Sequence, residues 1–393
     1  VILQEGSSKF KIMKGDSSSA KRQVAGLCVN KTWHYLVLVE KRRNGTLKPK
    51  QYERKLSRLL GKDLRASSNR SFERCCRTED ADVRENRMAV IDDAMLVIYD
   101  VSFRLGDQEE LYERIAETKL PIQRQIAQFS NYVSIPTVRW SPEGSFLSTS
   151  GTSMDRNAVR ILDSATMEPV EELDLNIYGS KVVLTHEHSR INPALMSIGT
   201  SMKQVLISDL RTGNITLSSG TRHTCGVNGI AWSFSDEHLL VTTSSKEILV
   251  WDTRYFSKTS ALQLFHNDRN FDVITNTSDL KFVDNNHVVI MNSRKSIDIY
   301  NVYTGSAIQS IQDVRLRKEE LGRFKFGLNV EAGIVYYPVK RGVRGYDLNT
   351  NNMILDARGG HIFPVDMVIF NDYSRELYTL NRHHEAIIWT PFR

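Results

Sequence analysis

The chain has 393 residues, 40% hydrophobic and 25% charged, an ordinary globular composition with ample material for a sizeable core. No run of about 18 apolar residues occurs, so no helical membrane span is expected; four cysteines (Cys28, Cys75, Cys76, Cys225) without a CxxC spacing argue against a disulfide scaffold and for a reducing compartment. The net charge of +6 is confined to the front: residues 1–90 hold 21 Lys and Arg against 10 Asp and Glu, and the remainder 31 against 36, unlike a nucleic-acid-binding fold that carries its basic charge on the folded face.

Residues 1–20 are polar and Ser-rich (GDSSS) and read as a flexible tail. The first thirty residues lack a signal-peptide apolar core, and the chain opens on Val1 rather than Met, so a trimmed N-terminus is expected. Residues 21–40 contain Arg22–Asn30 (RQVAGLCVN), an apolar stretch expected to supply the closing strand of a ring. Residues 41–70 read as a basic, partly helical insertion. It begins KRRNGTLKPK, and Leu56, Leu59, Leu60 and Leu64 follow at helical spacing. Lys41, Arg42, Arg43, Lys48 and Lys50 then form either a basic contact patch for DNA or nuclear import, or the solvated face of an insertion docked by its leucines.

From residue 71 to 393 the sequence repeats. Apolar runs end in a single polar residue in MLVIYD (Asp100), AVRILD (Asp163), QVLISD (Asp209), EILVWD (Asp252), SIDIYN (Asn301), GVRGYD (Asp347) and AIIWT (Thr390). The intervals are 63, 46, 43, 49, 46 and 43 residues, five of them near the length of a propeller blade. Before the endings comes a strand–turn–strand pattern, as in VRWSPEGSF and IAWSFSDEHLLV, and after them come turn signals such as DLRTGN and NVYTGS. Three strands and a more variable fourth, seven times over, specify an all-β, seven-bladed β-propeller closed by an N-terminal strand. The charged stretch Arg315–Arg323 (RLRKEELGR) reads as a surface loop between two blades.

Catalytic signatures are absent: no phosphate loop, nucleophile elbow or zinc-finger spacing appears, so no enzyme, cofactor or metal site is expected. His186 and His188 would share one face of a strand as two metal ligands might, but lack a third, and an inter-strand loop is the expected setting. Trp232, Trp251 and Trp389 are expected in the core, as are Trp33 and Trp140.

These repeats resemble the WD-repeat family, which implies a rigid protein-binding scaffold. The family's Gly-His signature is matched at Gly360-His361 and in part at His223. Its turn Asp, six residues before the strand Trp, is replaced by Ser245 and His383, so the buried network is expected to be incomplete and His383 to stand in structurally. Trp251-Asp252-Thr253-Arg254 resembles the Trp-Asp-x-Arg box of propellers that serve as substrate receptors for cullin-four ubiquitin ligases. That resemblance implies that Trp251 anchors the strand, Asp252 sets the turn and Arg254 faces the ligase's damage-binding adaptor.

Longer passages are similar to the WD-repeat factors of transcription-coupled nucleotide excision repair. They are AKRQVAGLCVNK, PTVRWSPEGSFLSTSGTSMDR, SIGTSMKQVLISDLRTGN, GVNGIAWSFSDEHLLVTTSSKEILVWDTR, IYNVYTGSAIQSI and VDMVIFNDYSRELYTLNRHHEAIIWTPF. The resemblance implies a nuclear scaffold, monomeric within a complex. Its implied partners are a Cockayne syndrome B-type translocase, RNA polymerase II and the damage-binding adaptor of a cullin ligase, with nucleic-acid contact weak or indirect. The alternatives are a DNA- or chromatin-binding WD module using the basic insertion, and an unrelated WD scaffold.

Overall fold

The computed structural model describes residues 34–391 except 63, 72–77, 93–94, 102–112, 120–136, 151–157, 176–181, 221, 257–261, 265–278, 292–296, 312–323 and 384. Two compact units divide the chain between Leu59 and Leu60. In the described part of the first, helix α1 covers residues 34–43, and helix α2 (Pro49–Gly61) crosses the boundary into the second. Proline at the first position of α2 suits a site where no backbone N–H is needed.

The second unit is a seven-bladed propeller. After β1 (Arg65–Ser71), blade 1 comprises β2–β5 (Thr78–Arg84, Arg87–Asp92, Met95–Asp100, Glu113–Lys119), and blade 2 comprises β6–β9 (Thr137–Trp140, Phe146–Ser150, Ala158–Asp163, Pro169–Asp174). Blade 3 is β10–β13 (Val183–His188, Leu195–Thr200, Val205–Asp209, Asn214–Ser218), and blade 4 is β14–β17 (Val227–Trp232, Leu239–Ser244, Ile248–Asp252, Leu262–Leu264). Blade 5 is β18–β21 (Leu280–Phe282, His287–Met291, Ile297–Asn301, Ala307–Ile311), and blade 6 is β22–β25 (Gly327–Asn329, Ile334–Val339, Gly342–Asp347, Met353–Ala357). Blade 7 takes β26–β28 (Met367–Asn371, Glu376–Leu380, Glu385–Thr390) and closes with β1, which pairs antiparallel with β28 from Arg65↔Thr390 to Ser71↔Glu385.

Each of the seven expected endings, Asp100 to Thr390, is the last residue of a third strand. At Asp163, Asp209, Asp252, Asn301 and Asp347 the side chain explains the punctuation. Asp163 Oδ1 accepts the amides of Ala165 and Thr166 at 2.8 and 2.9 Å, and Asn301 Oδ1 accepts those of Tyr303 and Thr304 at 2.9 and 3.0 Å. Asp209 and Asp347 accept the amide two residues on, each at 3.0 Å. A short polar side chain that binds the amides ahead of it stops the strand and opens the turn. Four of these turns then pass through a positive-φ residue four positions on, at Met167, Gly213, Gly305 and Asn351.

The apolar residues sort into seven clusters, one between each pair of neighbouring blades around the ring. Interior strands such as Ile248–Asp252 are therefore packed on both faces, which is why they read as continuous apolar runs. Trp140, Trp232, Trp251 and Trp389 are buried, as expected of core; Trp33 lies outside the described residues.

Three expectations are corrected. The fourth strand of blade 7 is Arg65–Ser71, from within the stretch read as an insertion. The segment Arg22–Asn30 lies outside the described residues, and residues 34–40 are helical. Leu64 is not on the helix; it is buried between blades 6 and 7, with Tyr336 Oη donating to Gly61 O at 3.0 Å nearby. His186 and His188 lie on β10, the first strand of blade 3, not in a loop. The loop expectation for Arg315–Arg323 also lies outside the described residues.

Candidate protein-docking site

The site begins with a buried chain of polar groups in blade 4. Thr242 Oγ1 meets Trp251 Nε1 at 2.7 Å and His223 Nε2 at 2.8 Å, and His223 Nδ1 lies 3.3 Å from Glu247 Oε1. Every group is used when Trp251 donates to the threonine, the hydroxyl donates to His223 and the imidazole N–H faces the carboxylate. Glu247 also takes the Thr224 amide, and the Thr224 hydroxyl at 3.0 Å. Burial pushes Glu247 up, but the bonds from His223 and Thr224 outweigh it and hold the carboxyl down at about 2.

Blade 7 repeats the arrangement. Thr379 Oγ1 meets His361 Nε2 at 2.7 Å and Trp389 Nε1 at 2.8 Å, and His361 Nδ1 lies 3.4 Å from Glu385 Oε2. In these two blades the tryptophan–threonine–histidine bonds are therefore present, and each histidine Nδ1 lies 3.3 or 3.4 Å from a carboxylate. Glutamates four residues before each tryptophan supply the acid, not Ser245 or His383. His383 instead stacks on Phe363 at 4.1 Å between ring centroids.

This network fixes Trp251, and Trp251 fixes the turn that follows. Its ring packs on buried Phe256 with centroids 4.9 Å apart, so the single 3-10 turn Thr253–Tyr255 is clamped at both ends. Asp252 caps that turn, accepting the Arg254 amide at 3.0 Å. The Arg254 guanidinium folds back as a fork on the same carboxylate, Nε at 2.9 Å and Nη2 at 2.6 Å, and sits 5.9 Å from the Tyr255 ring centroid. These hydrogen bonds, Arg254's side chain first, hold Asp252 below the usual carboxylate range. The Arg254 side chain is 56% exposed and Tyr255 52% exposed. An exposed ion pair contributes little to stability but does pre-orient the arginine.

Sequence reasoning missed a second fork. In blade 3, Arg211 Nε reaches Asp209 Oδ1 at 3.0 Å and Nη2 reaches Oδ2 at 2.7 Å, from the equivalent turn. The signal was the Asp-x-Arg spacing in SDLRTG, which has no tryptophan before it. Exposed Tyr303 occupies the corresponding turn of blade 5. Arginine and tyrosine on firm turns of one face are the residue types that carry protein interfaces.

The predicted basic residues belong to the other compact unit. Lys41, Arg42 and Arg43 end α1, and Lys48 and Lys50 lie before and at the start of α2, all exposed. No group of three or more His, Cys, Asp or Glu placed to hold a metal occurs among the described residues. His186 and His188 are tied instead to Ser148 Oγ, each at 2.8 Å. None of the described helices is long and apolar enough to cross a membrane.

Residues 215–252 match the family model described as WD domain, G-beta repeat. The matched segment runs from the outer strand of blade 3 through the third strand of blade 4, and so ends on Asp252.

Proposed function

We propose that this seven-bladed β-propeller, which carries a WD repeat, is a non-catalytic scaffold similar to Cockayne syndrome protein A. It serves as a substrate receptor in transcription-coupled nucleotide excision repair in the nucleus. Propellers of this type generally act by holding protein partners, and that coarser role fits the fold by analogy. The finer reading rests on the resemblance of the repeats in their order along the chain, and on one geometric observation. Arg254 is exposed on a turn that Trp251 and Phe256 clamp from below.

In this reading the Trp251–Asp252–Arg254 turn docks on the damage-binding adaptor of a cullin ligase. Other surfaces hold a Cockayne syndrome B-type translocase and RNA polymerase II, and ubiquitin transfer takes place on other subunits. Docking exchanges the Asp252 carboxylate for acceptors on the partner, or extends the fork to them, without moving the backbone.

The test is an affinity capture from nuclear extract with the chain and its Arg254→Ala variant. Adaptor captured by the first and lost by the second supports the receptor reading. Translocase or polymerase without adaptor keeps the repair role and removes the ligase role. Neither partner appearing sinks both. The exposed basic side chains at Lys41, Arg42, Arg43, Lys48 and Lys50 favour a second reading, a direct DNA or chromatin contact. It is separated by salt, because phosphate binding weakens steeply with ionic strength.

A further inference from the structure

Neighbouring strands in each blade run antiparallel, so the turns joining first to second and third to fourth strands share one face of the ring. The remaining links share the opposite face. The first face holds Arg254 and is acidic: its described turns carry eight carboxylates, from Glu85 to Asp372, against four arginines. The described links of the second face carry eight cations against three carboxylates, Glu247, Asp279 and Asp366. Six of these cations are exposed (Lys203, Arg222, Lys246, Lys340, Arg341 and Arg358), and none of the three carboxylates is. Glu247 and Asp366 are buried, and Asp279 is half-buried beside Lys281 at 3.2 Å. The mildly acidic balance of the propeller sequence conceals a separation of charge between two faces.

On the basic face, residues 358–366 link blade 6 to blade 7 and turn through two positive-φ glycines, Gly359 and Gly360. Glu385 accepts the amides of Ile362 and Phe363, each at 3.1 Å. The loop is also tied to both neighbouring turns: Val365 donates its amide to Lys340 O at 2.7 Å, and Asp366 accepts the Arg382 amide at 3.0 Å. Held this way, Ile362 is 63% exposed and Phe363 42%, with His383 stacked on the Phe363 ring. Two apolar side chains are thus displayed to water by a loop that cannot fold them away. Around them Lys340, Arg341, Arg344, Arg358 and Arg382 stand against Asp356, Asp366 and Glu385. Of these acids Asp356 alone is exposed, and Arg358 and Arg344 hold it at 2.6 and 3.4 Å.

We propose that this corner docks an acidic, extended segment of a partner protein that carries one apolar anchor side chain. The anchor covers Ile362 and the edge of Phe363, removing their apolar surface from water. Carboxylates on either side of it meet Lys340 and Arg341 toward blade 6 and Arg382 toward blade 7, and the other basic turns steer the approach. Ile362 selects protein over nucleic acid, because an aliphatic side chain offers no ring on which a base can stack. The corner lies on the opposite face from Arg254, so either assignment can fail without the other.

The experiment is fluorescence polarisation of the full chain with a labelled nine-residue Gly-Ser peptide carrying a central leucine between two pairs of glutamates. Three variants are compared: Lys340→Glu combined with Arg341→Glu, Ile362→Ser, and Arg190→Glu in the first turn of blade 3 on the opposite face. All are exposed turn or loop residues, and thermal melts verify folding. Saturable binding is expected, weakened about tenfold or more by the double reversal, about threefold or more by Ile362→Ser, and less than about twofold by Arg190→Glu. Replacing the peptide leucine with serine should weaken binding as much as Ile362→Ser does. No saturable binding, no effect of Ile362→Ser, or equal weakening by the two charge-reversal variants would overturn the proposal. So would a labelled oligothymidylate that binds tighter than the peptide and loses its affinity in the double reversal, since the face would then be a nucleic-acid surface.

Discussion

Thr242→Val removes one hydroxyl from blade 4 while keeping the side-chain volume. The hydroxyl sits between Trp251 Nε1 at 2.7 Å and His223 Nε2 at 2.8 Å, and all three residues are buried. Valine leaves both nitrogens without their partner and with no route to water. Each buried polar group left unpaired costs about 1–3 kcal/mol, so the variant is expected to lose about 2–5 kcal/mol. Thr242→Ser keeps the hydroxyl and is expected to lose much less, the cost of one methyl. Thr379→Val breaks the equivalent contacts of Trp389 and His361 in blade 7 and is expected to behave alike. The two blades share no partner, so the losses should add in the double variant. The assay is equilibrium urea unfolding followed by tryptophan fluorescence, backed by amide exchange on the turn after Trp251. Thr242→Val matching the unsubstituted chain, or Thr242→Ser losing as much as valine, would refute the account of the network.

Other expectations follow from the same geometry. Glu247 titrates at about 2 in the fold against 4.5 ordinarily, so it stabilises the fold fully above pH 4.5 and loses that effect as pH falls toward 2; Glu247→Gln should flatten acid unfolding in that window. His188 titrates at about 4 against 6.5, so the unfolded chain binds its proton more readily and stability falls as pH drops from 6.5 to 4; a histidine-resolved NMR titration should place this ring near 4. Arg254→Ala should leave the melting temperature unchanged, since the fork is exposed, while altering capture of the docking partner. A chain starting at residue 72 should lose the cooperative melt shown by one starting at residue 60, because it lacks the strand paired with β28. Equal melts for the two truncations would contradict the assigned closure.

The third strands were legible in the sequence because one residue does two things there. Asp163, Asp209, Asp252 and Asp347 end an apolar run and also bind the amides of the next turn, so composition and spacing carry the same message. The closing strand was not legible for the opposite reason. Arg65–Ser71 reads RASSNRS, and its ladder to β28 is a main-chain matter that leaves little mark on residue choice. Arg22–Asn30, more apolar, matched the usual pattern of a strand better than the strand that closes the ring. The acids of the two polar networks were misplaced by two positions. The family's spacing led to Ser245 and His383, whereas Glu247 and Glu385 sit nearer the tryptophan and use a longer side chain to meet the histidine. The forks were half visible: Arg254 follows a tryptophan and Arg211 does not, although the fork needs only the Asp-x-Arg spacing.

The placement of the apolar clusters has a consequence for the topology of the chain. Each cluster glues one blade to the next, and the joint between blades 7 and 1 is built like the other six. The backbone break inside blade 7 is then a seam whose position is arbitrary in energetic terms. Opening the chain in any other link between an outer strand and the next inner strand, and bridging β28 to β1 with a short linker, should give a circular permutant with the same ring. The order of the repeats along the gene is in that sense a convention, and the cyclic order of their faces is what the fold preserves.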